Sequence, residues 1–259
     1  MKALVINLQS ATERMSAMAH QLRGLGLDFD RIEATNSDQA AMTLTAEYWQ
    51  SWERPLKDTE KACLLSHIEA WEKVIAAHQP MLILEDDAVL SKHVPQLLEA
   101  LRGRVDIDHL TLETRDRRKL LAHKAEPVTE TLALRRLLQD RSGAAAYLLW
   151  PSGAQKLIAH TKRRAGLADA VICQAYDMAS YQVEPACAVQ QDRCALYGIA
   201  TDYEPRSAID AGQAAKEKKS LRFRLRRASA QLRMGLRQLA FAGRAEQRKV
   251  ALNPADFVK

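Results

Sequence analysis

A single α/β domain built on a mixed, mostly parallel sheet is the fold this sequence predicts, and three observations carry that expectation. Short apolar runs of strand length alternate with helical patterns along most of the chain. The 259 residues are 47% hydrophobic, enough to bury a sizeable core. No window is long and apolar enough to span a bilayer. The opening "MKALVINLQSATER" holds only the brief run Ala3 to Leu8, too short for a signal peptide.

The elements follow in order. "KALVINL" (2–8) reads as a strand, and a helical pattern runs from about Thr12 to Leu25, stopped by Gly24 and Gly26. "FDRIEAT" (29–35) alternates as a second strand. "DTEKACLLSHIEAWEKVIAAH" (58–78) is helical, with Asp58 or Thr59 as N-cap and Pro80 as stop. Further strands are expected at 81–84, 108–113, 144–150 and 183–190, and helices at 95–102, 152–163 and 168–180. The charged, poorly periodic stretch 114–142 reads as a surface excursion or mobile loop.

The net charge of +6 is unevenly placed. Lys216 to Lys249 carries twelve Lys and Arg against Glu217 and Glu246, a local charge of +10, which leaves −4 for the rest. The sequence therefore divides into a globular domain, 1–205, and a basic tail, 206–259. Within the tail, Leu221, Leu225, Ala228, Leu232, Leu236 and Leu239 form a stripe at helical spacing flanked by arginines, the pattern of an amphipathic helix lying on an anionic membrane. The alternative is a helix packed on the body by its leucine face. No specific nucleic acid is expected, because no recognised binding motif accompanies the charge. Cys63, Cys173, Cys187 and Cys194 form no CxxC pair, and the histidines form no ligand set, so a reduced, cytoplasmic compartment without structural zinc is expected.

Chemistry concentrates in "MLILEDDAVL" (81–90), where Glu85, Asp86 and Asp87 follow a strand directly. Ligands of open α/β sheets sit beyond the carboxyl ends of strands. Three carboxylates there repel one another, and a divalent cation is the economical compensation. A charged loop that happens to follow a strand is the plain alternative. A receiver domain's acidic pair fits poorly, since some 80 residues precede the cluster and no phospho-accepting strand end follows at the right distance. A phosphatase with an aspartate nucleophile also fits poorly, because Glu85 stands where that aspartate is required. On the preceding helix, "EKACLLSH" sets Glu60, Cys63, Leu64, His67 and Trp71 on one face, with Ser66 beside them.

Taken together these motifs resemble the family 25 glycosyltransferases, which include lipooligosaccharide galactosyltransferases of Gram-negative bacteria. The resemblance runs through residues 2 to 192: "VINL" followed by Glu13-Arg14, "EKACLLSH" with Trp71, "LEDDAVL", "LET" (112–114), "GAAAYLLW" (143–150), Asp169 and "PACAVQ" (185–190). Two departures stand out. Ala144 occupies a position where the family usually has Thr, and Leu167-Ala168-Asp169 replaces Pro-Val-Asp.

The resemblance implies a GT-A-like fold that uses a UDP-sugar donor, with "EDD" in the role of the metal-binding signature. Asp87 would be the first metal ligand and Glu85 a second, with Glu85 or Asp86 also holding donor hydroxyls; Mn²⁺ and Mg²⁺ both suit such oxygens. Arg14 would pair with the diphosphate. Gln190 would contact the metal or phosphate edge, and Glu60 and Ser66 would line the donor site. Inverting transfer to a glycan or lipid-linked saccharide needs a base, for which Glu113 and Asp169 are both candidates, and His67 would orient one of them or touch phosphate. Trp49 and Trp52 would line the acceptor site, while Trp71 and Trp150 would fill core. A rival donor sugar, or a non-catalytic module that retains the fold, would preserve the same pattern. With its tail on the membrane, the enzyme would sit at the cytoplasmic face of the inner membrane.

Overall fold

The structure is a computed structural model and describes residues 1–38, 40, 44–141, 143–201 and 221–257. Its centre is a nine-stranded sheet in the order β11-β6-β7-β9-β5-β8-β3-β1-β2. The strands are β1 (Ala3–Asn7), β2 (Phe29–Glu33), β3 (Met81–Glu85), β5 (His109–Thr111), β6 (Arg118–Pro127), β7 (Ala133–Gln139), β8 (Ala146–Leu149), β9 (Ser180–Glu184) and β11 (Ala245–Lys249). A two-stranded antiparallel ribbon joins β4 (Ala88–Leu90) to β10 (Ala188–Gln190).

Alternation along the strands sets the two faces. Val5, Leu82, Leu84, Leu110 and Leu148 point to one side, where they pack with Met18 and Leu22 of helix α1 (Thr12–Gly24) and Val94, Leu97 and Leu98 of α3 (Val94–Ala100). Leu4, Ile6, Ile83, Tyr147 and Leu149 point to the other side. They meet α2 (Asp58–Ala77), α4 (Pro151–Arg163) and α5 (Ala168–Gln174) through residues such as Leu64, Trp71, Leu157 and Ile172. Burying a leucine-sized side chain contributes roughly 1.5–3 kcal/mol, so these two layers supply most of the drive for folding.

Four expectations need correction. The sheet is mixed but not mostly parallel: β1–β2, β1–β3 and β5–β9 are parallel, and the other five pairings are antiparallel. The stretch 114–142 is no loose excursion, because most of it is the hairpin of β6 and β7, which extends the sheet. The segments 183–190 and 168–180 are each broken. One splits into β9 and β10, and the other ends its helix at Gln174.

The C-terminal stretch is a separate tail only in part. After α6 (Leu221–Ala240), β11 pairs antiparallel with β6, and Val250 and Phe257 are buried against the body. The start of the basic run, including Lys216, Lys218 and Lys219, lies outside the described residues.

Candidate active site

Strand alternation distributes the acidic residues. Glu85 ends β3 and turns toward α2, while Asp86 and Asp87 form the two-residue turn into β4. Asp86 is compensated on both oxygens: Asn7 Nδ2 donates to Oδ2 at 2.6 Å, and Arg14 Nη1 lies 3.0 Å from Oδ1. Burial still raises its carboxyl above the ordinary range, although Arg14 and Asn7 oppose the rise.

Asp87 has less support. Burial first, then Glu85 and Asp86, push its carboxyl up to about 7. Gln190 Nε2 stands 3.4 and 3.5 Å from its two oxygens and 3.4 Å from Glu85 Oε2, so one amide is spread over three carboxylate oxygens. Negative charge at this point exceeds what the chain neutralises, and a hard divalent cation fits that deficit.

Glu85 is fixed from behind by a buried relay. Trp71 Nε1 donates to Tyr147 Oη at 2.8 Å, and Tyr147 Oη lies 2.8 Å from His67 Nδ1. Indole is a donor only, so the phenol hydrogen is free to go to Nδ1. With Nδ1 accepting from the phenol, Nε2 is the nitrogen left to donate to Glu85 Oε1, 3.2 Å away. Cys63, one turn earlier on the same helix face, brings its sulfur into the group: single ligand atoms of Cys63, His67 and Glu85 all lie within 4.8 Å of one another.

Two cavities meet at Glu85 and Cys63. The larger, about 540 Å³, runs between Arg14 at the start of α1, the 34–37 segment after β2, the small-residue strip of α2, and all three acidic residues. A cleft of this size suits a small-molecule ligand. The smaller, about 240 Å³, is walled by Asp169, Gln190, Arg115, Glu60 and Gly143.

The expected residues therefore gather around these cavities, in unequal roles. Ser66 faces the larger one, but its hydroxyl donates to the Ala62 carbonyl and accepts from Thr35 N–H, each at 2.9 Å, tying the end of β2 to α2. Glu60 accepts both arms of Arg54, at 2.7 and 2.8 Å, and the Lys57 N–H that begins its helix. Burial acts to raise its pKa, yet these bonds hold it below the usual value.

Asp169 opens α5 on the wall of the smaller cavity. Its Oδ1 accepts from Ala170 N–H at 2.7 Å, and burial raises its pKa. Glu113 sits farther in, 1% exposed. Its Oε1 accepts from Ala145 N–H at 3.2 Å, Oε2 meets no donor among the described residues, and burial pushes the carboxyl up to about 8. Gly143 stands between Glu113 and the cavity. Its φ of +124° and the 2.5 Å gap from a hypothetical Cβ to Glu113 Oε1 exclude any side chain.

Trp49 and Trp52, expected at the acceptor site, line neither cavity. They are 5% and 6% exposed in the core beside Trp71, with Arg164 stacked 4.6 Å over Trp52. Asn7, Tyr147 and Arg115 were not foreseen as site residues. Asn7 carried a signal, a polar residue closing a wholly apolar strand, whereas Tyr147 looked like any aromatic in a buried strand.

This arrangement has relatives. Residues 1–172 match the model of glycosyltransferase family 25, described as LPS biosynthesis protein. Lipooligosaccharide biosynthesis protein lic2B of Haemophilus influenzae is 25% identical over 200 residues, covering 72% of this chain and 75% of that protein. A glycosyltransferase 25 family member of Aedes aegypti is 30% identical over 112 residues, 38% of this chain and 18% of the mosquito protein. One from Anopheles gambiae is 31% identical over 93 residues, 32% of this chain and 16% of its own length. The motifs that line both cavities up to Asp169 fall inside the matched span 1–172, and the chain belongs to glycosyltransferase family 25.

Proposed function

We propose that this glycosyltransferase is metal-dependent and inverting, with a GT-A-like donor site, and that it moves a hexose, first of all galactose from UDP-galactose, onto a lipopolysaccharide or lipooligosaccharide saccharide. The observation that carries the reading is the undercompensated carboxylate pair Glu85 and Asp87, placed where a cleft and a second cavity join. The saccharide acceptor follows the printed function of the bacterial relative, and galactose follows the resemblance in the motifs. Asp87 and Glu85 would hold Mn²⁺ or Mg²⁺, which when bound offsets the charge developing on the departing diphosphate.

The chain's own groups divide the remaining work. Arg14, held by Asp86 at the mouth of the larger cleft, points a cation toward the diphosphate. His67 orients Glu85 through its Nε2 hydrogen. Asp169 is the base: it reaches the smaller cavity, whereas Glu113 lies behind Gly143. As the anomeric C–O bond to diphosphate breaks and the acceptor oxygen bonds to that carbon from the opposite face, the acceptor hydroxyl proton passes to Asp169.

A membrane partner is part of this proposal. Among the described residues no helix is long and apolar enough to cross a bilayer. In α6, Leu221, Leu225, Leu232, Leu236 and Leu239 are 57–73% exposed, so the helix is not packed by its leucine face. Instead Arg226 donates to the carbonyls of Gln50 and Trp52, and Arg237 donates to that of Leu138 and stacks 4.3 Å over Tyr176. Leucines face outward beside further arginines, which suits an anionic bilayer at the cytoplasmic face of the inner membrane.

Turnover of a panel of UDP-sugars with Mn²⁺ tests the central claim. Galactose should be the preferred donor. Excess EDTA, or Asp87→Asn, should remove transfer without unfolding the chain. Preference for UDP-glucose or a UDP-N-acetylhexosamine would replace the donor assignment, and full activity in EDTA would overturn the metal role.

A further inference from the structure

A polar groove of about 420 Å³ opens beside the hairpin of β6 and β7. Its walls are Arg117 and Arg118 at the start of β6, Arg141 just after β7, Gln139, Gln238 of α6 and Gln247 of β11. Gln238 Nε2 lies 3.4 Å from Gln139 Oε1, so the floor is a pair of joined amides, one of them buried. No Asp or Glu lines the groove among the described residues.

The three arginines differ from their neighbours. On the same sheet Arg135 and Arg248 pair with Glu184 and Lys249 with Asp116, and Glu126 of β6 pairs with Arg104 from the turn after α3. No carboxylate among the described residues forms a salt bridge with the guanidinium of Arg117, Arg118 or Arg141, although Asp140 accepts from the Arg141 backbone N–H at 2.7 Å. Three guanidinium groups around one concavity repel one another, and a bound anion relieves that repulsion while taking bidentate hydrogen bonds.

The groove also adjoins the transfer site. Arg115 lines the cavity of Asp169, and only Asp116 and Arg117 stand between it and Arg118, a span of roughly 10 Å at most. From the other side Gln139 and Gly143 border one small internal space, and Gly143 again lines the Asp169 cavity. Among the described residues no aromatic ring lines the groove, which argues against a single-stranded nucleic acid held by stacking.

We infer that the groove is an acceptor subsite for an anionic saccharide, holding its phosphate or carboxylate groups on Arg117, Arg118 and Arg141 while the reacting hydroxyl reaches Asp169. This rests on the transferase reading, and binding measured without a donor separates the two.

The test compares the parent with R117Q/R118Q/R141Q by calorimetry. The probes are a lipid-free, phosphorylated core oligosaccharide, the same oligosaccharide after dephosphorylation, and phosphatidylglycerol vesicles. The parent should bind the phosphorylated form at least tenfold more tightly than the dephosphorylated one, with the difference shrinking as salt rises. The triple variant should lose that preference and keep the parent's melting temperature. In turnover, its KM for the phosphorylated acceptor should rise at least tenfold, with kcat and the donor KM unchanged. Equal binding of both oligosaccharides by the parent overturns the inference, as does an unchanged preference in the variant. A variant that loses only vesicle binding reassigns the groove to lipid headgroups and also overturns it. If no UDP-sugar is ever transferred but the phosphate preference tracks the three arginines, the anion site stands and the transferase reading fails.

Discussion

The two wings of the sheet treat charge in opposite ways. On the β1–β3 side, β1 and β3 are apolar until their last residue, and three carboxylates beyond them meet a single arginine: Arg14 and Asn7 serve Asp86, His67 serves Glu85, and Gln190 is shared between Glu85 and Asp87. On the β6–β7–β11 side, charged residues fill the strands themselves, and many are matched, including the buried pair of Lys119 and Asp140 at 2.8 Å. Matched charge holds an edge of the sheet together. Unmatched charge, at Asp87 and at the three groove arginines, is where we propose that a ligand completes the structure.

The sharpest way to separate the wings is to compare turnover with stability in single variants. Asp169→Asn should lower kcat by roughly a hundredfold or more while the melting temperature barely moves. The base must be ionised to accept a proton, and burial raises the Asp169 pKa, so activity should climb with pH through a value above the ordinary carboxylate range and fall off on the acid side. In the variant that acid limb should vanish. If Glu113→Gln removes it instead, the deeper carboxylate is the base.

On the other wing the response reverses. Lys119 donates to Gln182 Oε1 at 2.7 Å and to the Glu113 carbonyl at 3.2 Å while pairing with Asp140. Lys119→Met leaves a buried carboxylate without that cation, a loss on the order of 3–5 kcal/mol. For a chain of this size that lowers the melting temperature by about 10 °C. Binding of UDP, followed by calorimetry below that temperature, should persist.

The smallest effect on stability belongs to the outer face of α6. Leu225, Leu232 and Leu236 are all more than half exposed, so changing each to Gln should alter unfolding by no more than about 0.5 kcal/mol. Co-sedimentation with anionic vesicles should nevertheless drop sharply. Retained sedimentation would remove the membrane from the proposal.

Legibility from sequence divides along the same line. β1 and β3 could be read directly as short apolar runs, the second closed by Glu85, and the helix face of Cys63, His67 and Trp71 follows from spacing alone. The hairpin escaped because "RKLLAHKAEP" and "ALRRLLQ" are built from Arg, Lys, Leu and Ala, with no β-branched residue. β11, "AEQRK", carries no strand signal. It is an edge strand whose pairing with β6 is a tertiary event. Arginine content announced a charged surface in both places, but sequence could not say which arginines would find carboxylates. Trp49 and Trp52 misled for a related reason: polar neighbours suggested a loop, while the short helical turn Ala46–Trp49 and the stacking of Arg164 carry both rings inward.

The relay from Trp71 through Tyr147 to His67 has a spectroscopic consequence. The indole of Trp71 is fully buried, and its Nε1 hydrogen bond ends on the oxygen that also serves His67, one further contact from Glu85. Trp150 donates instead to the Arg104 carbonyl, remote from this chain of contacts. Trp71 is thus a native fluorophore coupled to the acidic turn. A shift in its emission on donor binding would report occupancy of the cleft in an unlabelled protein, before any sugar has moved.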